Sequence, residues 1–198
     1  MENTKQKAKG RWKLMAVLAV CAAPLIASYV IYYGGFAESF GRTNYGAILD
    51  PRQHETPELK ASTLDGTPTS IDALKGKWLM VRTGPAACDD ACRKQMFAMR
   101  QLRLMQGKEM DRVQRVWLVT DSAPLDIVLL KEYDGMTVLR VDPQALQQWL
   151  PVEEGSQMRD HLYMIDPLGN LMMRFPKDPE PQKVKKDMSK LLKASAIG

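Results

Sequence analysis

A chain of 198 residues, 45% of them hydrophobic, has room for one ordinary domain with a real core, plus an appendage. The formal net charge of +5 sits in two tails, +4 over residues 1–13 and +3 over residues 177–198, which leaves −2 for everything between them. A near-neutral middle excludes the basic face that nucleic-acid binding requires, so no nucleic-acid partner is expected.

In chain order, the basic tail of residues 1–13 is followed by LMAVLAVCAAPLIASYVIYY, residues 14–33, without a single charge. A bilayer core of about 30 Å needs about twenty residues at helical rise, so this stretch is read as a transmembrane anchor. Pro24 is tolerable in such a helix, and Trp12, Tyr32 and Tyr33 stand where interfacial aromatics belong. Five basic residues ahead of the span predict a cytoplasmic N-terminus, and therefore export of everything after Tyr33. The expected location is the cytoplasmic (inner) membrane, single-pass, with the C-terminal domain in the periplasm. A cleaved signal would carry a shorter apolar run of about 7 to 15 residues and an A-x-A site, so the segment is read as retained. Cys21, inside the span, reads as a small packed or lipid-facing residue.

Residues 34–57, rich in Gly, Pro and polar side chains, read as a linker or extended arm in which His54 is solvated surface. The domain is expected over 58–198. Two short extended runs flank the turn Asp65-Gly66, and a helical turn at 71–74 is closed by Lys75-Gly76. WLMVRT, residues 78–83, is a compact apolar strand that delivers the chain to two cysteines. Cys92, Met96, Met99 and Leu102 then recur at helical spacing, predicting a helix over 88–106 that stops at Gly107. Arg93, Lys94, Arg100 and Arg103 decorate its other side as a solvated face. A strand at 115–120, a helix at 125–133 and a strand at 137–141 follow. After them come a short helix with Asp142 as cap and Pro143 at its first position, then a hairpin in LYMIDPLGNLMMRF and a closing helix over 183–194. This order predicts an α/β domain, a central sheet with helices on its faces, in which chemistry gathers where strands end and helices begin.

Cys88 and Cys92 fall at such a junction. Residues four apart on a helix have Cβ atoms about 5 to 6 Å apart, so the two sulfurs can close a disulfide or converge on one ion. The helix start, Arg93 and Lys94 favour thiolate, while Asp89 and Asp90 oppose it. Two thiolates do not fill a tetrahedral zinc site, and no second Cys or His pair completes one. Soft Cu(I) is less demanding and accepts thioether or imidazole as a third donor, which thirteen methionines and His161 offer, although most of those methionines read as core filler. Three uses of the pair therefore stay open: metal binding, thiol–disulfide exchange with Cys88 attacking and Cys92 resolving, and a structural disulfide in a scaffold protein.

The run GTPTSIDALKGKWLMVRT, the motif CDDAC after it and the later YMIDPLGN together resemble the Sco/SenC family of membrane-anchored, thioredoxin-like proteins. The resemblance spans residues 58–176, and the N-terminal anchor fits it. It implies a thioredoxin-like fold and a copper-delivery or thiol-reducing role in assembling the copper centre of cytochrome c oxidase. The implied partner is an oxidase subunit or another copper or thiol client, and the implied metal is copper, as Cu(I), on Cys88, Cys92 and a histidine. Asp89 and Arg93 stand where the family usually has prolines. The family histidine lies five residues before the strand tyrosine, a position occupied here by Met158, whereas His161 lies two before Tyr163 and directly after Asp160. Three outcomes follow: His161 ligates after a local deletion, Met158 replaces the imidazole, or copper binding has been lost.

Overall fold

The computed structural model of the chain describes residues 2–34, 44–54 and 57–197. Residues 1–43 and 44–198 form two units. The first holds helix α1 (Glu2–Tyr33), which runs unbroken through Pro24 and begins well before the apolar stretch. Lys, Gln and Ala in that leading part are good helix formers. Within it, Trp12–Tyr33 is a 22-residue segment long and apolar enough to cross a membrane, and its large side chains, Leu18, Ile26 and Tyr32 among them, are exposed.

The second unit contains β1 (Ala47–Ile48), β2 (Lys60–Ser62), β3 (Pro68–Ser70), β4 (Trp78–Gly84), α2 (Asp90–Leu104), β5 (Val113–Val119), α3 (Ile127–Glu132), β6 (Thr137–Val141), α4 (Pro143–Trp149), β7 (Leu162–Ile165), β8 (Leu171–Phe175) and α5 (Pro181–Ala194). The strands join one sheet in the order β1-β8-β7-β4-β5-β6-β2-β3. The three central strands β4, β5 and β6 are parallel and the remaining pairings antiparallel. Every residue of β4 is buried, as expected of a central strand covered on both faces. Its side chains alternate between two cores. Leu79 and Val81 pack with Leu146 and Trp149 of α4 and with Ile71 of the 3-10 turn Ile71–Leu74. Trp78 and Met80 pack with Met99 and Leu102 of α2 and with Val184 and Met188 of α5. A third cluster joins Cys92 and Met96 to Trp117, Val119 and Leu129. The two-sided α/β layering expected from the order of elements is therefore present.

Within residues 34–57, the segment read as a linker or extended arm, residues 47–48 pair with the sheet edge, and part of the remainder lies outside the described residues. Ala47 and Ile48 pair with Arg174 and Met173, placing β1 on the sheet edge. Just before it, the backbone N–H groups of Tyr45 and Gly46 donate to the Asp187 carboxylate at 2.7 and 2.9 Å. Asp187 is only 2% exposed and also accepts from Lys190. Gly46 is required by proximity, because a Cβ there would stand 2.7 Å from the Met173 sulfur and 2.9 Å from the Phe175 ring. A two-residue strand shows no period to read, and a carboxylate among six lysines reads as solvated surface. Asp187→Ala strands one buried and one half-buried N–H donor and is expected to lower stability by about 3 kcal/mol. Urea unfolding of the full chain in detergent measures that loss directly.

Candidate functional site

Strand β4 ends at Gly84, whose φ of +149° favours glycine, and the chain passes through Pro85 and Ala86 before α2 begins. The Ala86 N–H donates to the Asp121 carboxylate at 3.1 Å, tying this loop to the residues that follow β5. Asp89 caps α2 by accepting the Cys92 N–H at 2.9 Å. Asp89 thus satisfies an otherwise unpaired helix-start donor. Cys88 lies just ahead of the cap and Cys92 in the first turn. They are joined as a disulfide, with their Cα atoms 5.2 Å apart.

The two sulfur-bearing residues differ in access. Cys88 is half-buried at the edge of the third cluster, whereas Cys92 is 7% exposed among Met96, Trp117 and Val119. An incoming group reaches Cys88 first. Cys21 is a free, exposed cysteine in α1.

On β4, packed against the cluster that holds Cys92, lies a residue that the reading of WLMVRT as a plain apolar strand passed over. Arg82 is 2% exposed. Its Nε donates to Gln95 Oε1 at 2.9 Å, and its guanidinium lies over the Trp117 ring, 5.0 Å from the centroid. Burial pulls its pKa down to about 10, against the opposing pull of Asp89. The other end of Gln95 donates to the backbone carbonyl of His161 at 3.1 Å, so one amide links Arg82 to the segment before β7.

His161 itself is fully buried. Its Nδ1 is 2.9 Å from the Phe175 carbonyl, which can only accept, so the ring proton sits on Nδ1. Nε2 faces the Ser156 hydroxyl at 2.6 Å and accepts the Glu153 N–H at 3.4 Å. Both ring nitrogens are therefore committed within the loop and hairpin of residues 153–175. Met158 opens a single 3-10 turn, Met158–Asp160, and packs half-buried against the α4-side core. It also lines a cavity of about 500 Å³ together with Thr83, Gly84, Pro85, Thr120 and Arg159. The structure brings Cys88 and Cys92 together and turns the imidazole of His161 to other partners. Among the described residues no cluster of three or more His, Cys, Asp or Glu side chains could hold a metal. As a donor set this does not fit a three-ligand copper site built on His161, because the lone pair such a site needs is already in use.

Two family models match the chain. One, described as a transmembrane-like, thioredoxin-like, C-terminal domain, covers residues 78–195, and the other, a transmembrane-like N-terminal domain, covers residues 5–35. No curated protein matched. Among solved structures, copper-bound ScoI of Arabidopsis thaliana is similar at 15% identity and a TM-score of 0.55, over 76% of this chain and 99% of that one. Copper-bound yeast Sco1 gives 16% identity and 0.53, over 77% and 91%. The thioredoxin domain of a thiol-disulfide oxidoreductase from Bacteroides vulgatus gives 16% and 0.51, over 76% and 99%. At these identities the likeness establishes the fold, which is thioredoxin-like as the sequence resemblance implied.

Proposed function

The chain belongs to the family described as the transmembrane-like, thioredoxin-like, C-terminal domain, and from that premise we propose that it is a membrane-anchored thiol–disulfide exchange protein. Its client is a cysteine pair of a copper-centre protein, for which a cytochrome c oxidase subunit is the first candidate. One observation carries the reading: a closed Cys88–Cys92 pair at a strand-to-helix junction, with one cysteine accessible and the other buried behind it. Five basic residues ahead of the membrane span support an N-terminus in the cytoplasm and a working domain in the periplasm.

In the reducing direction the Cys88 thiolate attacks one sulfur of the client disulfide. The client S–S bond breaks, and its leaving sulfur departs as a thiolate that takes a proton from water. The Cys92 thiol loses its proton and its thiolate attacks the Cys88 sulfur of the mixed disulfide. The second client sulfur is expelled and protonated, leaving Cys88–Cys92 oxidised. Two electrons and two protons pass to the client, which is then able to receive its metal. Copper enters as the client's cargo.

The test is equilibration of the full chain, in detergent, with glutathione redox buffers. A working exchange pair reaches equilibrium readily, at a potential within the range of about −120 to −270 mV spanned by thioredoxin-type proteins. A potential below about −300 mV with sluggish exchange marks a structural staple and removes the reading.

A further inference from the structure

A buried arginine normally has a carboxylate beside it, because desolvating an unpaired charge costs several kcal/mol. Among the described residues Arg82 has none within ion-pairing distance, and its Nη1 is buried without a hydrogen-bond partner. Its one polar side-chain partner is the neutral Gln95 amide. A guanidinium whose pKa falls on folding weakens the fold at every pH below about 10, and that deficit fades only as the pH climbs above this value. The site therefore holds a cation at a cost that nothing in the oxidised pair offsets.

Its surroundings tie the charge to the packing around Cys92. Gln95 stands three residues beyond Cys92 on α2, and Trp117, over which the guanidinium lies, belongs to the same cluster as Cys92. The side chain reaches toward the end of β4, since a Cβ on Gly84 would come within 3.2 Å of Nη2. Asp89, the cap between the two cysteines, is the acidic group whose charge it feels. Arg93 and Lys94, the cations nearest in sequence, are exposed and paired with Asp126 and Asp178. They leave Arg82 as the buried cation bonded to this helix.

We propose that Arg82 is a positioning residue for the redox pair, a built-in counter-charge that holds the thiolate formed when the Cys88–Cys92 disulfide opens. The inference rests on the exchange reading above. In the disulfide state the guanidinium has no anion in ion-pairing contact and only the more distant charge of Asp89; in the reduced state a thiolate supplies a second negative charge, so the reduced form gains stability that the oxidised form lacks. The equilibrium is pair dithiol plus glutathione disulfide against pair disulfide plus two glutathione thiols, with two electrons and two protons moving between them. Arg82 shifts it toward the dithiol and makes the pair more oxidising.

The experiment compares this equilibrium constant for the full wild-type chain in detergent with Arg82→Gln and Arg82→Lys. For Arg82→Gln we expect formation of the pair disulfide to be favoured about tenfold more, a fall of ~30 mV for a two-electron couple. Arg82→Lys, which keeps the charge, should recover at least half of that shift on a logarithmic scale. A change below about twofold in Arg82→Gln with the fold intact, or no recovery in Arg82→Lys, overturns the proposal; a tenfold shift has this resolution because tenfold is ~30 mV. Should Arg82→Gln not fold, the reduced wild type decides alone. An ultraviolet thiolate band at neutral pH that is absent from Cys88→Ser supports the counter-charge, and its absence from wild type overturns it. A pair that fails to equilibrate in any variant sinks the exchange reading itself, which separates the two failures.

Discussion

Replacing Cys92 by serine is expected to turn the chain from an exchange protein into a trap. Cys88, half-buried at the rim, keeps its access to an incoming disulfide and still forms the first mixed disulfide. The second displacement needs a sulfur nucleophile on the first turn of α2, where the two Cα atoms are 5.2 Å apart, and a serine hydroxyl is no substitute. Turnover should fall by about a hundredfold or more, and a covalent adduct between the chain and a client-derived disulfide peptide should accumulate. Non-reducing electrophoresis detects that adduct and dithiothreitol reverses it. The fold should survive, because the Asp89 cap is made to the backbone N–H of residue 92 and not to its side chain. Cys88→Ser is the opposite case: the remaining sulfur is 7% exposed among Met96, Trp117 and Val119 and should form no adduct. An adduct on Cys88→Ser and none on Cys92→Ser would reverse the assigned roles, and adducts on neither would leave the pair a staple.

Much of the scaffold that sets up this asymmetry was legible in the sequence. The apolar runs of β4 and β5 and the helical spacing of Cys92, Met96, Met99 and Leu102 correspond to buried positions on a central strand pair and on α2. Local features of this kind are visible because periodicity reports which face is covered. Asp142 and Pro143 behave as a helix start for the same reason, one accepting the Gln144 N–H and the other filling the first position. What escaped is set by contacts between residues distant in the chain. Arg82 sits inside WLMVRT, where one charge at a strand end looks like the approach of solvent; only the packing of Trp117 and Gln95 over it makes it buried. Asp187 looks like one acid on a lysine-rich helix until Tyr45 and Gly46, more than a hundred residues earlier, bring their N–H groups to it. The candidate site divides along the same line: the cysteine pair is a local motif, and the environment that sets its chemistry is not.

The histidine tests that division most directly, since one outcome of the resemblance, a local deletion, assigns it to the metal while its neighbours assign it to the fold. His161→Ala removes a fully buried ring that spans from the Phe175 carbonyl on β8 to Ser156 and the Glu153 N–H. The buried Phe175 carbonyl and the half-buried Glu153 N–H lose the ring as partner and a cavity opens, so a loss of about 3 kcal/mol in unfolding free energy is expected, toward the upper end for a single substitution. The redox equilibrium with glutathione should stay within about threefold of wild type, under a 1 kcal/mol difference. The link from Gln95 to residue 161 runs through the backbone carbonyl and survives the exchange. Met158→Leu, a volume-conserving change at a half-buried position, should cost less than about 1.5 kcal/mol and likewise leave the equilibrium in place. Chemical unfolding and glutathione titration on both variants separate the two assignments. A His161→Ala chain that unfolds like wild type but loses exchange would place the imidazole in the chemistry. A destabilised chain that still exchanges places it in the support of β7 and β8, with the two cysteines left as the reacting groups.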